Sequence, residues 1–229
     1  MRLKGGSINA KDLEALLHLS YQPELSDYDN YKIDRDLSGF RVKVYTNNNK
    51  AYIVHRGTKG FQDIMTDAKL GFNYKGGKRF KHAERIQKLA EDKYGKDNTY
   101  TFGHSLGSTI SNTVGKDSKE IINLNRPVLI QDIMSLKPYN STDITTTYDP
   151  ISILKPFETK NGKEISIDST SWNPLKEHKT TVLNRLDDNM IIGNGLNKSK
   201  WIQFVKHTQS QYNVSYKEAL QLASKNYKK

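Results

Sequence analysis

The chain has 229 residues, 35% of them hydrophobic. That is enough for one α/β domain with a sizeable core and a small appendage, and too apolar for a disordered chain. There is no cysteine, which excludes disulfides and cysteine-held metals and fits a reducing compartment, and the net charge of +11 draws the protein toward anionic lipid or nucleic acid.

In chain order, a Gly-Gly-Ser start precedes a short helix expected over Ala10–Ser20. Its Leu13, Leu16, Leu17 and Leu19 are interrupted by charge, so the stretch reads as amphipathic rather than as a signal peptide. No run approaches transmembrane length, and an intracellular protein is expected. Arg41–Thr46 alternates Val42 and Val44 with polar residues, the period of a half-buried strand. Asn47-Asn48-Asn49 turns it, and Ala51–His55 returns as a hairpin partner. Phe61–Leu70 carries a helical stripe of Phe61, Ile64, Met65 and Ala68. Lys78–Tyr94 predicts a longer amphipathic helix with Ala83, Ile86, Leu89 and Ala90 on one face, closed by Gly95. Strands are expected at Thr99–Phe102, Pro127–Ile130 and Asp143–Tyr148, with a helix to about Val114 after the first. Residues 155–175 read as a long loop or small hairpin, Thr180–Leu186 as a helix, and Asn189–Lys200 as a linker. Strand and helix alternate, which predicts an α/β fold: a central, mostly parallel sheet flanked by helices, with reactive groups at the strand ends.

Gly103-His104-Ser105-Leu106-Gly107 sits between an expected strand and an expected helix. This is the context of a G-x-S-x-G nucleophile elbow in an α/β-hydrolase. The two glycines remove side chains that would clash in so tight a turn. The serine hydroxyl is expected to stand exposed above the sheet edge. The N–H of Leu106 would face the oxygen of a bound acyl group.

A serine nucleophile needs a base and an orienting carboxylate, in the order Ser, Asp/Glu, His. Among six histidines, only His178 and His207 follow an acid that itself follows Ser105. His178, before the expected helix at Thr180, is preferred to His207, which lies in a basic terminal segment. For the acid, Asp149 and Asp132 each end an expected strand. Asp149 is preferred because Pro150 fixes a turn directly after it. His55-Arg56-Gly57-Thr58 ends another strand. Gly57 permits close backbone approach, and Thr58 offers an N–H and a hydroxyl as the second oxyanion donor.

The string Val54-His55-Arg56-Gly57-Thr58, followed by Phe61-Gln62-Asp63-Ile64-Met65-Thr66-Asp67, resembles the strand, oxyanion turn and next helix of the class 3 lipases. The G-H-S-L-G elbow after a long helix, and Tyr148-Asp149-Pro150-Ile151, are similar to that family as well. The resemblance covers roughly residues 40–185 and is weakest around the histidine. His55 departs from it, standing where the family usually has Phe. It implies a serine esterase or lipase with Ser105, Asp149 and His178 as the triad. It further implies Thr58 and Leu106 as the oxyanion donors and a lipid or other ester as the substrate. No metal or cofactor is required. It also implies that Phe61, Ile64 and Met65 belong to a mobile lid, a pattern that a fixed core helix would equally produce. Transfer of the acyl group to an alcohol instead of water stays open.

The domains expected are a hydrolase domain over 1–192 and a basic helical segment over 197–229. That segment holds seven Lys against one Glu. Trp201, Phe204 and Val205 form an apolar stripe there, and Ser215-Tyr216-Lys217-Glu218 is a capping box. The segment is similar to lysine-rich termini of proteins from large DNA viruses. The competing reading is a virion-associated binding protein that uses this tail to hold DNA, an anionic membrane or a protein partner. No zinc, helix-turn-helix or basic-zipper spacing supports a DNA-binding domain outright.

Overall fold

The computed structural model describes residues 8–58, 77–127, 140–149 and 162–193, together with Ser215 and Glu218. Several expectations lie outside these residues. They are the Phe61–Leu70 helix with Phe61, Ile64 and Met65, the alternative acid Asp132, His207, and the Trp201, Phe204 and Val205 stripe. Two compact units divide the chain: Ser7–Asn194, and Met1–Gly6 with Gly195–Lys229. In the second, Glu218 donates its N–H to Ser215 Oγ at 3.3 Å, and Ser215 donates its own N–H to Glu218 Oε2 at 2.9 Å. This is the reciprocal capping box its sequence spells.

In the first unit, β1 (Ile8–Asn9) leads directly into α1 (Ala10–Leu19). Asn9 caps the helix by accepting the Asp12 N–H at 2.7 Å. Then follow β2 (Lys32–Ile33), β3 (Val42–Asn47) and β4 (Lys50–His55). Asn48 and Asn49 turn β3 into β4 with φ of 49° and 60°. Two successive positive φ values are what a two-residue hairpin requires, and asparagine tolerates them best among residues with a side chain. The helix α2 (Lys78–Tyr94) has the expected bounds. Its buried face is Phe80, Ala83, Ile86, Gln87 and Ala90. Leu89, expected on that face, is exposed at its margin: it stands about 60° round the helix from Ile86 and about 100° or more from the other buried positions.

β5 (Thr99–His104) runs into α3 (Leu106–Val114), followed by β6 (Glu120–Leu124), β7 (Ser141–Thr146) and β8 (Lys163–Ile167). A strand thus follows α3 at Glu120–Leu124, where none is expected; of the expected Pro127–Ile130, Pro127 stands outside any strand and residues 128–130 lie outside the described residues. Glu120 and Asn123 disguise β6 as polar. Asn123 is nonetheless buried, accepting from Ser111 Oγ at 2.5 Å and donating to Asp143 Oδ1 at 2.8 Å. β7 ends two residues earlier than expected. Tyr148 lies in the turn beyond it and stacks on Trp172, ring centroids 5.0 Å apart. β8 lies within residues 155–175, where a long loop or small hairpin is expected, and pairs parallel with β7. Last come α4 (Pro174–Glu177), a 3₁₀ helix (Thr180–Arg185) in place of the expected helix, and β9 (Ile191–Ile192). β9 pairs with β1, so the expected linker begins later than Asn189.

The seven-stranded sheet has the order β2-β3-β4-β5-β6-β7-β8. β2–β3 and β3–β4 pair antiparallel, and every pair from β4 to β8 is parallel. The fold is α/β, with helices on both faces of a mostly parallel sheet. The pleat sorts each strand between the two faces. Tyr52 and Val54, Tyr100 and Phe102, Ile122 and Leu124, and Ile144 pack with Leu13, Leu16 and Leu17 of α1 and with Val182 and Leu183. Val42, Val44, Ala51 and Ile53 pack against Ile86 and Ala90 of α2 on the other face. Phe80, Ala83 and Ile110 join α2 to α3. No described helix is long and apolar enough to cross a membrane.

Candidate active site

Ser105 lies between the last residue of β5 and the first of α3 with φ 57° and ψ −131°. A non-glycine residue at positive φ is strained, and the strain is held by its surroundings. The Ser105 N–H donates to Leu124 O at 3.0 Å, and its carbonyl accepts the Ser108 N–H at 2.8 Å. Gly103 packs its backbone directly on Gly107, and Gly107 packs on the His55 carbonyl. A Cβ at either position would collide with backbone. These glycines close the elbow as the sequence predicts.

The serine itself is buried, where an exposed position is expected. Part of its cover is the turn after β4. A Cβ added to Gly57 would stand 2.8 Å from both the Ser105 Cβ and the His104 carbonyl. Among the described residues, Ser105 Oγ has no hydrogen-bond partner. The Leu106 N–H opens α3, where first-turn N–H groups lack helical acceptors and the helix dipole favours negative charge.

His178 and Asp149 come together. His178 Nδ1 lies 2.7 Å from Asp149 Oδ1, with both side chains buried. A carboxylate only accepts, so Nδ1 carries the proton and Nε2 presents its lone pair. Nε2 has no partner among the described residues. The loop that carries the imidazole is fixed on both sides. Asn125 Nδ2 and Thr146 Oγ1 donate to the Glu177 carbonyl at 2.9 and 2.8 Å. His104 Nε2 lies 2.6 Å from the His178 carbonyl, and the two rings are 5.0 Å apart. The Glu177 carboxylate takes a two-point contact from Arg185, at 2.6 and 3.1 Å, and the Ser171 N–H at 2.9 Å. Arg185 and that N–H hold the Glu177 carboxyl below the ordinary glutamate value of 4.5.

Thr58, His104 and His178 line one cleft of about 640 Å³ with His18, Tyr21 and Leu175. That size suits a small organic ligand. Arg56, in the turn before Thr58, stacks its guanidinium 3.7 Å from the Phe40 ring centroid. Of the residues marked by sequence, Ser105, Leu106 and Thr58 thus stand at the elbow and the turn that packs on it, and Asp149 and His178 stand as a bonded pair. Tyr21, His104 as a bonding residue, Asn125, Thr146 and the Glu177–Arg185 pair were not marked. Their partners are carbonyls and side chains far along the chain, for which local pattern carries no signal.

No protein-family model matches the chain, and no curated protein matches its sequence. Among solved structures, one that is similar is EstE1, a thermophilic and thermostable carboxylesterase cloned from a metagenomic library. The two superpose with a TM-score of 0.41 at 12% sequence identity, over 78% of this chain and 89% of that one.

Proposed function

We propose that the protein is a serine hydrolase of carboxylic esters. The observation that carries this reading is the buried His178–Asp149 pair, whose outward nitrogen is unpartnered among the described residues, held against the residue preceding a strained elbow serine. In the reaction, Ser105 Oγ attacks the acyl carbonyl as its proton passes to His178 Nε2. Asp149 stabilises the resulting imidazolium. The N–H of Leu106 and the N–H and hydroxyl of Thr58 hold the developing oxyanion. Collapse expels the alcohol, which takes the proton from His178. Water then attacks the acyl-enzyme with His178 as base, releasing the acid and restoring Ser105.

The class 3 lipase motifs favour a lipid or phospholipid ester as substrate, with the Phe61–Leu70 segment as lid. The lysine excess of residues 197–229 favours docking of that segment on an anionic membrane surface, outside catalysis. A fluorophosphonate should label wild-type protein at Ser105 and leave Ser105→Ala unlabelled. Turnover of p-nitrophenyl esters of graded chain length, with and without anionic phospholipid vesicles, then defines the acyl preference. A truncation before residue 197 should retain turnover of a soluble ester and lose vesicle binding. Folded protein that neither labels nor turns over any ester would reject the hydrolase reading in favour of a binding protein.

A further inference from the structure

Tyr21 lies two residues beyond α1, on the face of the sheet that α1 covers. The pleat that puts Tyr100 and Phe102 on this face puts His104 there as well. Tyr21 Oη lies 2.6 Å from His104 Nδ1 and 2.9 Å from the Gly57 nitrogen. The far side of the His104 ring meets the His178 carbonyl.

The proton positions follow from the acceptors. A carbonyl only accepts, so His104 carries its proton on Nε2. The Nδ1 of a neutral ring must then accept, and the Tyr21 hydroxyl donates to it. The remaining lone pairs of Tyr21 Oη accept the Gly57 N–H. Each link in the chain has one direction. Burial keeps the wiring uncharged: it pushes His104 down to about 3 and Tyr21 up to about 12. Between those values neither group changes charge.

The segment bearing Tyr21 is itself pinned. The buried Lys43 ammonium on β3 donates to the carbonyls of Leu19 at 2.8 Å, Gln22 at 2.9 Å and Glu24 at 2.5 Å. Three carbonyls use all three protons of the ammonium. A buried cation fully committed to the backbone of residues 19–24 marks a segment whose position matters.

We infer that Tyr21 is a positioning residue: through His104 it ties the Gly57–Thr58 turn and the His178 backbone into one hydrogen-bonded unit around Ser105. The inference rests on the ester-hydrolase reading of this site. Tyr21 takes up the Gly57 N–H, and Thr58 follows it in the turn that lines the cleft. Tyr21 also lines the cleft shared by Thr58 and His178.

Tyr21→Phe tests this. It keeps the ring that packs edge-on against His104, centroids 5.7 Å apart, and deletes only the hydroxyl. The expected result is a fall in kcat of roughly 10- to 100-fold on a soluble short-chain p-nitrophenyl ester, the size of effect that follows loss of positioning. KM should stay within about twofold, and fluorophosphonate labelling should slow in parallel with kcat. In ¹⁵N-histidine NMR, wild-type His104 should show a protonated Nε2 and a hydrogen-bonded Nδ1. In Tyr21→Phe the Nδ1 resonance should move toward that of an unbonded imine nitrogen. His104→Leu should lose a similar factor, and the double variant no more than the worse single one. A Tyr21→Phe protein with wild-type kcat, or with a lowered Tm and unchanged kcat below it, would reduce Tyr21 to packing and overturn the inference. Wild-type protein that neither labels nor turns over would instead sink the hydrolase reading. The NMR signature would still report the wiring.

Discussion

Ser105 is set by backbone packed on backbone, whereas His178 is set by side chains that grip residues 177 and 178 from 29 to 74 positions earlier in the chain. On the serine side, two glycines allow β5, α3 and the turn after β4 to touch backbone to backbone. On the histidine side, Asn125 and Thr146 bind the Glu177 carbonyl and His104 binds that of His178. A tight turn stores its geometry in sterics, which are steep. A mesh of hydrogen bonds stores it in several contacts of about 1 kcal/mol each, which yield gradually. The two sides should therefore fail differently.

The largest effect is expected from Ser105→Ala. Ester turnover should fall by roughly 10⁶-fold, as for loss of a triad nucleophile. Its Tm should change little, because Oγ makes no hydrogen bond among the described residues and the glycine contacts remain. A folded Ser105→Ala protein with wild-type turnover would end the assignment. Gly107→Ala breaks the same side by geometry. Its Cβ would enter the His55 carbonyl, so stability should drop by about 1–3 kcal/mol or more, and activity with it. Urea unfolding with an unchanged midpoint would show that the elbow can relax.

The histidine side should bend before it breaks. Asn125→Ala removes one of two donors to the Glu177 carbonyl and the acceptor of the Thr146 N–H. A kcat loss of about tenfold is expected, with a stability loss of about 1–3 kcal/mol for the polar groups left unpaired. Labelling rates by fluorophosphonate, set beside unfolding midpoints, separate the two. A loss as large as that of Ser105→Ala would mean that this side is as steep as the elbow.

This difference also governs what could be read from the sequence. G-H-S-L-G announces the elbow because the glycines that its close backbone contacts require stand within the motif itself. The helix Lys78–Tyr94 and the Asn48-Asn49 hairpin were legible for the same reason. Asp149 and His178 could be picked out by chain order, but their bond is a tertiary fact. β6 was missed because Glu120 and Asn123 look like surface residues until Ser111 and Asp143 are seen beside Asn123. A strand at β8 is compatible with the small hairpin read there, but its place as the parallel edge of the main sheet is not legible, because Lys163, Glu164 and Ser166 give it a polar, loop-like composition. The burial of Ser105 was not legible, since the Gly57 turn that covers it arrives from 48 positions away in sequence only by parallel pairing of β4 with β5.

The smallest effect sharpens the comparison at its seam, where β4 delivers the Gly57 turn. His55 ends that strand, buried, with neither ring nitrogen partnered among the described residues. Burial, aided by the nearby positive charge of Arg79 and by His82, pulls it from 6.5 to about 3. Unfolded, the same histidine takes up a proton near pH 6.5. Between about pH 6.5 and 3 the unfolded chain thus binds more protons, so stability falls as pH falls, by up to about 1.4 kcal/mol per pH unit. His104, depressed to about 3 by burial first and by His178 next, adds a second such contribution. The Glu177 carboxyl has the opposite charge but the same sense. Held below 4.5, it supports the fold above that value and loses its contribution only as pH falls through its lowered value. Measurements between pH 5 and 6 therefore isolate the histidines from it. In that window His55→Phe, which keeps an aromatic ring and removes both ring nitrogens, should remove one proton from the pH dependence of the urea midpoint. At pH 8 its ester turnover should stay within about twofold of wild type, because the His55 ring makes no hydrogen bond among the described residues to Ser105, His178 or Asp149. An unchanged slope would show that the His55 ring is protonated or bonded in the folded protein. In that case the end of β4 would be held by a polar contact, like the histidine side, and not by packing alone.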